Sequence, residues 1–407
     1  MKALGLSLVV IMIGCGPPPP PVTPNLSGLE ALQALEDSGK DVPRPRLPHE
    51  ADTNDAGAYF RFGEAHVLLS RSPDTAEMAL YWASRLDPAL PEPFFVRSLI
   101  PLSALRSDAL ETWLRTSSLR SAGNLTLSKR QIEIMDSLQH LAWHRNPFMF
   151  SALEFRALPV TNSRRRGRKL DPIAEGWMAF ATRRFATAES LFAVGLRKHP
   201  DQIGVRIYRA RALFYLARYD AAVDELQALR DTVTHTFEAK LLPIVPSVEM
   251  LDFAIGMVRV QQNDFAAART AFERALTENL GFYWAHARLA GADLALHDTA
   301  GAIAELETAT QLEGRDPVLL FYKGVVLQSV GRAHDAREQF ERAIELDPYY
   351  AAPYFWLAFG QRKSGDTVSA VLRYREFLLH AARNDPDREL AQHALDSLSI
   401  TTVSKPR

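Results

Sequence analysis

The sequence feature that most constrains the fold is a 34-residue stretch, Pro317 to Tyr350, whose spacing recurs before and after it. Apolar residues three or four positions apart predict two short amphipathic helices in this stretch. Gly331 lies where the chain must reverse, and Asp347-Pro348 ends the second helix because proline has no amide donor. The spaced residues are Leu320, Gly324 and Leu327 in the first helix, and Ala336, Phe340 and Ala343 in the second.

The same spacing occurs at constant phase in four units, which begin at residues 249, 283, 317 and 351. Numbered from 1 within each unit, positions 8 and 20 hold small residues and position 24 holds a large one. Segments 169–202, 203–236 and 57–90 fit the spacing less completely. Because one helical pair buries little apolar surface, such units must stack on one another. Position 8 is Gly256, Ala290, Gly324 and Ala358; position 20 is Ala268, Ala302, Ala336 and Ala370; position 24 is Phe272, Leu306, Phe340 and Tyr374.

This pattern resembles the tetratricopeptide repeat, a 34-residue unit folded as helix, turn and helix. The resemblance implies an all-α fold, a right-handed superhelical solenoid of such repeats. It also divides the chain after residue 56 into five regions. They are a degenerate N-terminal helical region (57–168), a pair of repeats (169–236), a linker insertion (237–248), four units in phase (249–384), and a capping helix with a tail (385–407).

The N-terminus has the composition of an export signal. Lys2 precedes an apolar run from Ala3 to Ile13, which is short for a transmembrane span, and Cys15 follows as the only cysteine. The segment resembles a bacterial lipoprotein signal, which implies removal of residues 1–14 and lipid attachment at Cys15. Residues 15–55 would then be a proline-rich linker, and the protein would be anchored on the periplasmic side of a membrane, with the outer membrane favoured. A plain signal peptide and an uncleaved anchor are the alternatives.

Composition and motifs contain little that indicates catalysis. The formal net charge is −1, so no basic excess favours nucleic acid. The sequence has no phosphate-binding loop, nucleophile elbow or calcium loop. Asp136, His140 and His144 are spaced one helical turn apart and could hold zinc, yet a solvated or capping role is commoner for such residues. The sequence therefore predicts no enzyme, no cofactor and no metal site, with a metal-assisted hydrolase within 91–168 as a minor alternative.

In the family that the repeats resemble, the first helices of the units line a groove. The resemblance implies an apolar, aromatic groove here, because the lysine and asparagine with which some members hold a carboxylate are absent at positions 5 and 9. Such a groove suits an apolar peptide or an amphipathic helix of a partner protein. The alternative is that the chain's own N-terminal segment, or tight superhelical closure, fills it. The predicted groove residues are Trp177, Phe214, Phe253, Met257, Phe321, Val325, Phe355 and Phe359.

Together these features predict a non-enzymatic protein-binding scaffold. By resemblance, it would be a membrane-tethered lipoprotein of the bacterial cell envelope that recruits partner proteins for envelope assembly. A soluble regulatory or co-chaperone module is the second hypothesis, and it differs from the first in the cell fraction where the protein is found.

Overall fold

The computed structural model describes residues 27–38, 40–48, 50–68, 72–103, 128–146, 171–200, 203–233 and 247–403. These ranges contain 18 helices and no strand, which confirms the predicted all-α class. Cys15 and residues 234–246, which include most of the predicted insertion, lie outside them. Among the helices so described, none is long and apolar enough to cross a bilayer.

The helices form two assemblies, an N-terminal block and a stack of helical pairs. The N-terminal block consists of α1 (Ser27–Asp37), α2 (Ala56–Leu68), α3 (Pro73–Leu86), α4 (Glu92–Ser103) and α5 (Lys129–Arg145). The repeat stack consists of six pairs, and a final helix packs on the last of them. The helices of the stack are α6 (Pro172–Ala181), α7 (Phe185–Lys198), α8 (Ile203–Tyr215), α9 (Tyr219–Thr232), α10 (Val248–Gln261), α11 (Phe265–Glu278), α12 (Tyr283–Ala295), α13 (Thr299–Leu312), α14 (Pro317–Ser329), α15 (Ala333–Leu346), α16 (Ala351–Lys363), α17 (Thr367–His380) and α18 (Arg388–Val403).

Close contact between positions 8 and 24 holds the two helices of a unit together. A Cβ atom added to Gly256 would lie 2.4 Å from the Phe272 ring, and one added to Gly324 would lie 2.5 Å from the Phe340 ring. No real Cβ atom approaches a carbon so closely, so glycine is required wherever phenylalanine occupies position 24. Among the four in-phase units, position 8 is alanine where position 24 is leucine or tyrosine. The small residue at position 8 and the large residue at position 24 therefore follow from how closely the two helices of a unit pack.

The turn between the two helices uses a left-handed residue followed by a helix cap. Position 15 has a positive φ in all four in-phase units, which glycine and asparagine adopt at low cost. The aspartate at position 16 accepts a hydrogen bond from a backbone amide in the next helix, as an N-cap does. These aspartates are Asp264, Asp298 and Asp366, which cap α11, α13 and α17.

The repeat stack continues across the predicted insertion. The side chains of α9 and α10 share one apolar cluster, which includes Leu229 and Leu251. Asp252 of α10 is fully buried and pairs with Arg230 of α9 at 2.9 Å and with Arg274 of α11 at 3.0 Å. The pairs at 172–232 and 248–278 are therefore neighbours in one stack.

The N-terminal block lies along the loops that connect successive units. The sequence predicts this region as further units of the solenoid; the structure shows it in contact with residues far along the chain. The ring of His144 lies 4.6 Å from that of Phe282, and Arg145 pairs with Asp316. Because these loops recur every 34 residues, they form one edge, to which the block binds at regular intervals. Further contacts include Arg85 Nε with Asp347 Oδ1 at 3.0 Å, and Asn54 Nδ2 with the Leu379 carbonyl oxygen at 2.6 Å, at the end of α17.

The pair formed by Arg145 and Asp316 is the most buried ion pair along this edge. The distance between Nη2 and Oδ2 is 2.9 Å, and the two side chains are 4% and 1% exposed. The guanidinium group also lies over the rings of Phe94, at 4.6 Å, and Trp284, at 5.7 Å. Asp316 additionally caps α14 by accepting a hydrogen bond from the Val318 amide. The block and the stack are thus joined by a desolvated charge pair between aromatic rings.

Substitution Asp316→Asn should destabilise the junction strongly. Asparagine retains the helix cap but leaves the buried Arg145 charge without its counter-ion, a change that costs about 3–5 kcal/mol. The free energy of the first unfolding transition in urea measures this loss. Asp335→Asn is the control, because its pair with Arg332 is solvent-exposed and should matter little. Equal unfolding free energies for the two variants would show that the pair formed by Arg145 and Asp316 does not stabilise the junction.

Candidate protein-binding groove

The candidate groove is the face formed by the first helices α10, α12, α14 and α16 at positions 5, 9 and 12 of their units. The helices α14 and α16 lie side by side, since a Cβ atom on Gly360 would lie 3.5 Å from the Gln328 side chain. At position 9, Gly291 of α12 is exposed and has no atom within 4 Å of an added Cβ. The face therefore has open space above α12, beside the bulky side chains of α14 and α16.

At the α16 end, the predicted groove residues remain accessible. The Phe359 side chain is 44% exposed, and its ring lies 6.1 Å from that of Trp356. Val325 of α14 is half-buried. Phe321 and Phe355 are half-buried as well, and each also packs on aromatic rings of the core, Phe321 on Tyr350 and Phe355 on Phe377. This end presents an apolar surface supported from below by the core.

At the α10 end, the groove is closed. Phe253, predicted as a groove residue, is 0% exposed, because its ring packs between Phe272 and Phe282 at centroid distances of 5.6 and 4.8 Å. Phe282 in turn contacts His144 of the N-terminal block. Met257, one turn after Phe253, is half-buried. Phe253 is therefore a core residue, and the chain's own N-terminal block reaches this end of the groove.

Two predicted groove residues belong to the earlier pairs and serve packing there. Trp177 of α6 packs edge-on against Phe192 and Tyr208, with ring centroids 5.1 and 4.2 Å away. Phe214 of α8 contacts Tyr219 at 5.8 Å. Phe321 and Val325 share an apolar cluster with Trp356 of α16, whose ring lies beside Phe359, whereas Trp177 and Phe214 lie in other clusters. The structure therefore brings together Phe321, Val325, Phe355 and Phe359, but does not add Trp177 or Phe214 to them.

Position 6 of the first helices also holds large side chains, which were not predicted from the sequence to be groove residues. It holds Arg288, Tyr322 and Trp356 in the last three units. The guanidinium of Arg288 lies 5.3 Å from the Trp284 ring, and desolvation lowers the pKa of Arg288. The sequence could have indicated these residues, because each of these units has a bulky residue at position 6 and a smaller one at position 8.

A charged cleft separates the N-terminal block from the loop edge. It has a volume of about 560 Å³, and its walls include the pairs Arg85 with Asp347 and Arg145 with Asp316. Burial raises the pKa of Asp347 to about 6, while Arg85 acts in the opposite direction. Since the charges in its walls are largely paired with one another, the cleft is part of the junction between block and stack.

Of the three residues predicted as possible metal ligands, two are exposed to solvent and one lies at the junction between block and stack. Asp136 Oδ1 and His140 Nε2 are 3.4 Å apart and both exposed. His144 instead points into the junction, where its ring contacts Phe282 and Tyr283. Within the part of the chain that the structure describes, no three potential ligands converge on one point. His144 is therefore a packing residue at the junction.

One segment of the chain matches a known family model. Residues 259–319, from the end of α10 to the start of α14, match the family model of the tetratricopeptide repeat. Curated protein sequences gave no match. The match and the observed geometry agree on a repeat architecture that typically serves as a non-enzymatic protein-interaction scaffold.

Several solved structures are similar to parts of this chain. YrrB, described as a TPR protein with an unusual peptide-binding site, is 20% identical over 50% of this chain and 97% of its own, with a TM-score of 0.37. MamA from Desulfovibrio magneticus RS-1 is 15% identical over 44% of this chain and 94% of its own, with a TM-score of 0.37. The C-terminal part of a TPR repeat-containing protein from Cytophaga hutchinsonii is 18% identical over 51% of this chain and 78% of its own, with a TM-score of 0.42.

Acidification should weaken the junction through His144. Desolvation lowers the pKa of His144 from 6.5 to about 3, with His140 contributing in the same direction. The folded state therefore disfavours the proton, so stability present above pH 6.5 is lost as the pH falls below it. At about pH 5 the loss amounts to about 2 kcal/mol relative to neutral pH.

The variant His144→Phe isolates this effect because it keeps an aromatic ring but cannot be protonated. Burial raises the pKa of Glu77 to about 7, which acts with the opposite sign in the same range. That contribution is present in both proteins and cancels in the difference. Between about pH 7.5 and about pH 5, urea unfolding should show that the wild type loses about 2 kcal/mol more than the variant. Equal losses would show that His144 does not titrate across the transition.

Proposed function

We propose that this protein is a membrane-tethered, non-enzymatic scaffold of the bacterial cell envelope, which recruits partner proteins for envelope assembly through the α16 end of its groove. The proposal that this surface binds a partner rests on the apolar side chains at position 9. Val325 and Phe359 occupy this position in consecutive units; Phe359 is 44% exposed, whereas Val325 is half-buried and also packs on the core. Their exposure has a direct use if a partner covers them.

The shape and chemistry of this surface suit an apolar peptide or an amphipathic helix. Phe355 and Trp356 support it from α16, and Phe321 supports it from α14, so a ligand would meet a firm surface. Arg362 and Lys363 are exposed at the end of α16 and offer positive charge at the rim. Helix-in-groove binding uses this combination of apolar anchors and flanking charge.

The membrane tether rests on the N-terminal sequence. A short basic start, an apolar run and Cys15 support lipid attachment at that cysteine. Lipid attachment would place the repeat stack at a membrane surface, where the groove would hold a partner close to the bilayer.

Charged substitutions at position 9 should abolish partner binding while leaving the fold intact. Phe359→Asp and Val325→Asp place a carboxylate on the apolar surface, and we expect each to reduce crosslinked partner recovered from membranes by at least about tenfold. Leu280→Asp is the matched control, because Leu280 is 75% exposed but lies in a loop between units. Circular dichroism should give Phe359→Asp and Leu280→Asp the wild-type melting temperature, whereas Val325→Asp should remain folded but melt somewhat lower, because Val325 also packs on the core. Folded groove variants that retain every partner of the wild type would refute the proposed groove.

Substitution Cys15→Ser should release the protein from the membrane. Serine cannot form the thioether to lipid, so the variant is expected in the soluble fraction of lysed cells, whereas the wild type sediments with membranes. Mass spectrometry of the wild type should show an acylated N-terminal cysteine. Unchanged sedimentation of the variant would show that Cys15 does not anchor the protein, and recovery of the wild type in the soluble fraction would favour the soluble regulatory or co-chaperone module.

A further inference from the structure

The second helix of the last unit carries an exposed apolar row on the side of the stack away from the groove. Positions 18, 22, 25 and 29 lie on one face of a helix, since they are separated by three or four residues. In α17 these positions are Val368, Leu372, Arg375 and Leu379. The three apolar side chains are 70%, 56% and 64% exposed, and all belong to one helix of the repeat stack.

The other in-phase units show that stacking does not require these residues. The same four positions hold small, polar or acidic side chains in the other second helices, where nearly all are exposed as well. The difference is therefore specific to the last unit and lies in a part of the repeat that is free to vary. The corresponding residues are Ala266, Thr270, Glu273 and Thr277 in α11; Ala300, Ala304, Glu307 and Gln311 in α13; and His334, Glu338, Glu341 and Glu345 in α15.

We propose that this outer row (Val368, Leu372, Arg375 and Leu379) is a second docking surface, which receives an amphipathic helix that carries a carboxylate opposite Arg375. The row spans 12 residues, with a rise of about 16 Å from the first to the last, which is the length of three helical turns. Three apolar anchors at helical spacing match the face that one amphipathic helix buries. Arg375 lies within this face, and the described residues supply no carboxylate within ion-pair distance of it. A partner carboxylate would complete the contact.

The charges around the row favour a protein helix over an anionic membrane. The preceding second helix, α15, presents Glu338, Glu341 and Glu345 at the corresponding outward positions. These three carboxylates would be repelled by anionic lipid headgroups on the same side of the stack. A protein helix can avoid them, because its own side chains on that flank can be neutral or basic.

A second copy of this chain fits the row less well than a partner with an acidic residue. In a symmetric antiparallel contact, Arg375 would face Leu372 of the other copy, and Val368 would face Leu379. Both arginines would then be covered without a carboxylate, which is costly. The docking surface does not depend on the groove, from which it differs in helix and in side of the stack.

Binding of a designed peptide tests the proposal. The probe is a fluorescein-labelled helical peptide with leucines at three positions and glutamate at the fourth, spaced as in the outer row; a second peptide has lysine in place of glutamate. The full chain with Phe359→Asp serves as the background, so that binding to the groove does not contribute. We expect the glutamate peptide to bind at least about tenfold more tightly than the lysine peptide by fluorescence anisotropy.

Variants of the row complete the test. Leu372→Gln should weaken binding of the glutamate peptide by about tenfold, and Arg375→Glu should reverse the preference between the two peptides. Ala304→Gln, at the same position of α13, should change neither affinity. Equal binding of both peptides to the unmodified row, or no reversal by Arg375→Glu, would overturn the proposal. So would self-association in sedimentation, or flotation with phosphatidylglycerol vesicles, that Leu372→Gln abolishes, because either would assign the row to a different occupant.

Discussion

The contact between position 8 and position 24 sets the distance between the two helices of each unit. Gly256 beneath Phe272 and Gly324 beneath Phe340 bring the two helices of a unit so close that even a methyl group would clash. Repetition of this contact every 34 residues fixes the phase of the stack. It therefore also fixes where the turns, the connecting loops and the outward faces recur. Groove, loop edge and outer row are three surfaces of the same repeat.

The loop edge gives the N-terminal block a regular surface to bind. Arg85 and Arg145 contact two different loops between units, and Asn54 contacts the end of α17, so the block spans several units at once. Such contacts restrain the bending that is otherwise easy in a solenoid, in which each unit contacts only its neighbours. The block also reaches Phe282, and through it Phe253, which leaves the groove closed at the α10 end and open at the α16 end.

Local pattern was sufficient to predict the paired helices, their phase and the reversal at Gly331, because each follows from residues close in sequence. The position of the N-terminal block could not be predicted, since it depends on pairs such as Arg145 with Asp316, 171 residues apart. Asp316 and Asp347 resemble ordinary helix-terminating residues in the sequence, and their burial becomes evident only with the block in place. For the same reason His144 suggested a metal ligand and Phe253 a groove residue, although both pack at or near the junction. Phe321, Val325, Phe355 and Phe359 were found by position alone, because their units follow the repeat without interruption.

The N-terminal block binds along the loop edge and leaves one end of the groove open. Hydrogen exchange in the variant Arg145→Met tests this arrangement most directly, because this substitution leaves Asp316 buried without a counter-ion. Amides of α5 and of the loops around Phe282 and Asp347 should lose protection together, while α6 to α9 should exchange as in the wild type. Loss of protection confined to the immediate neighbours of residue 145 would show that the block is not held along the edge, and would contradict the account.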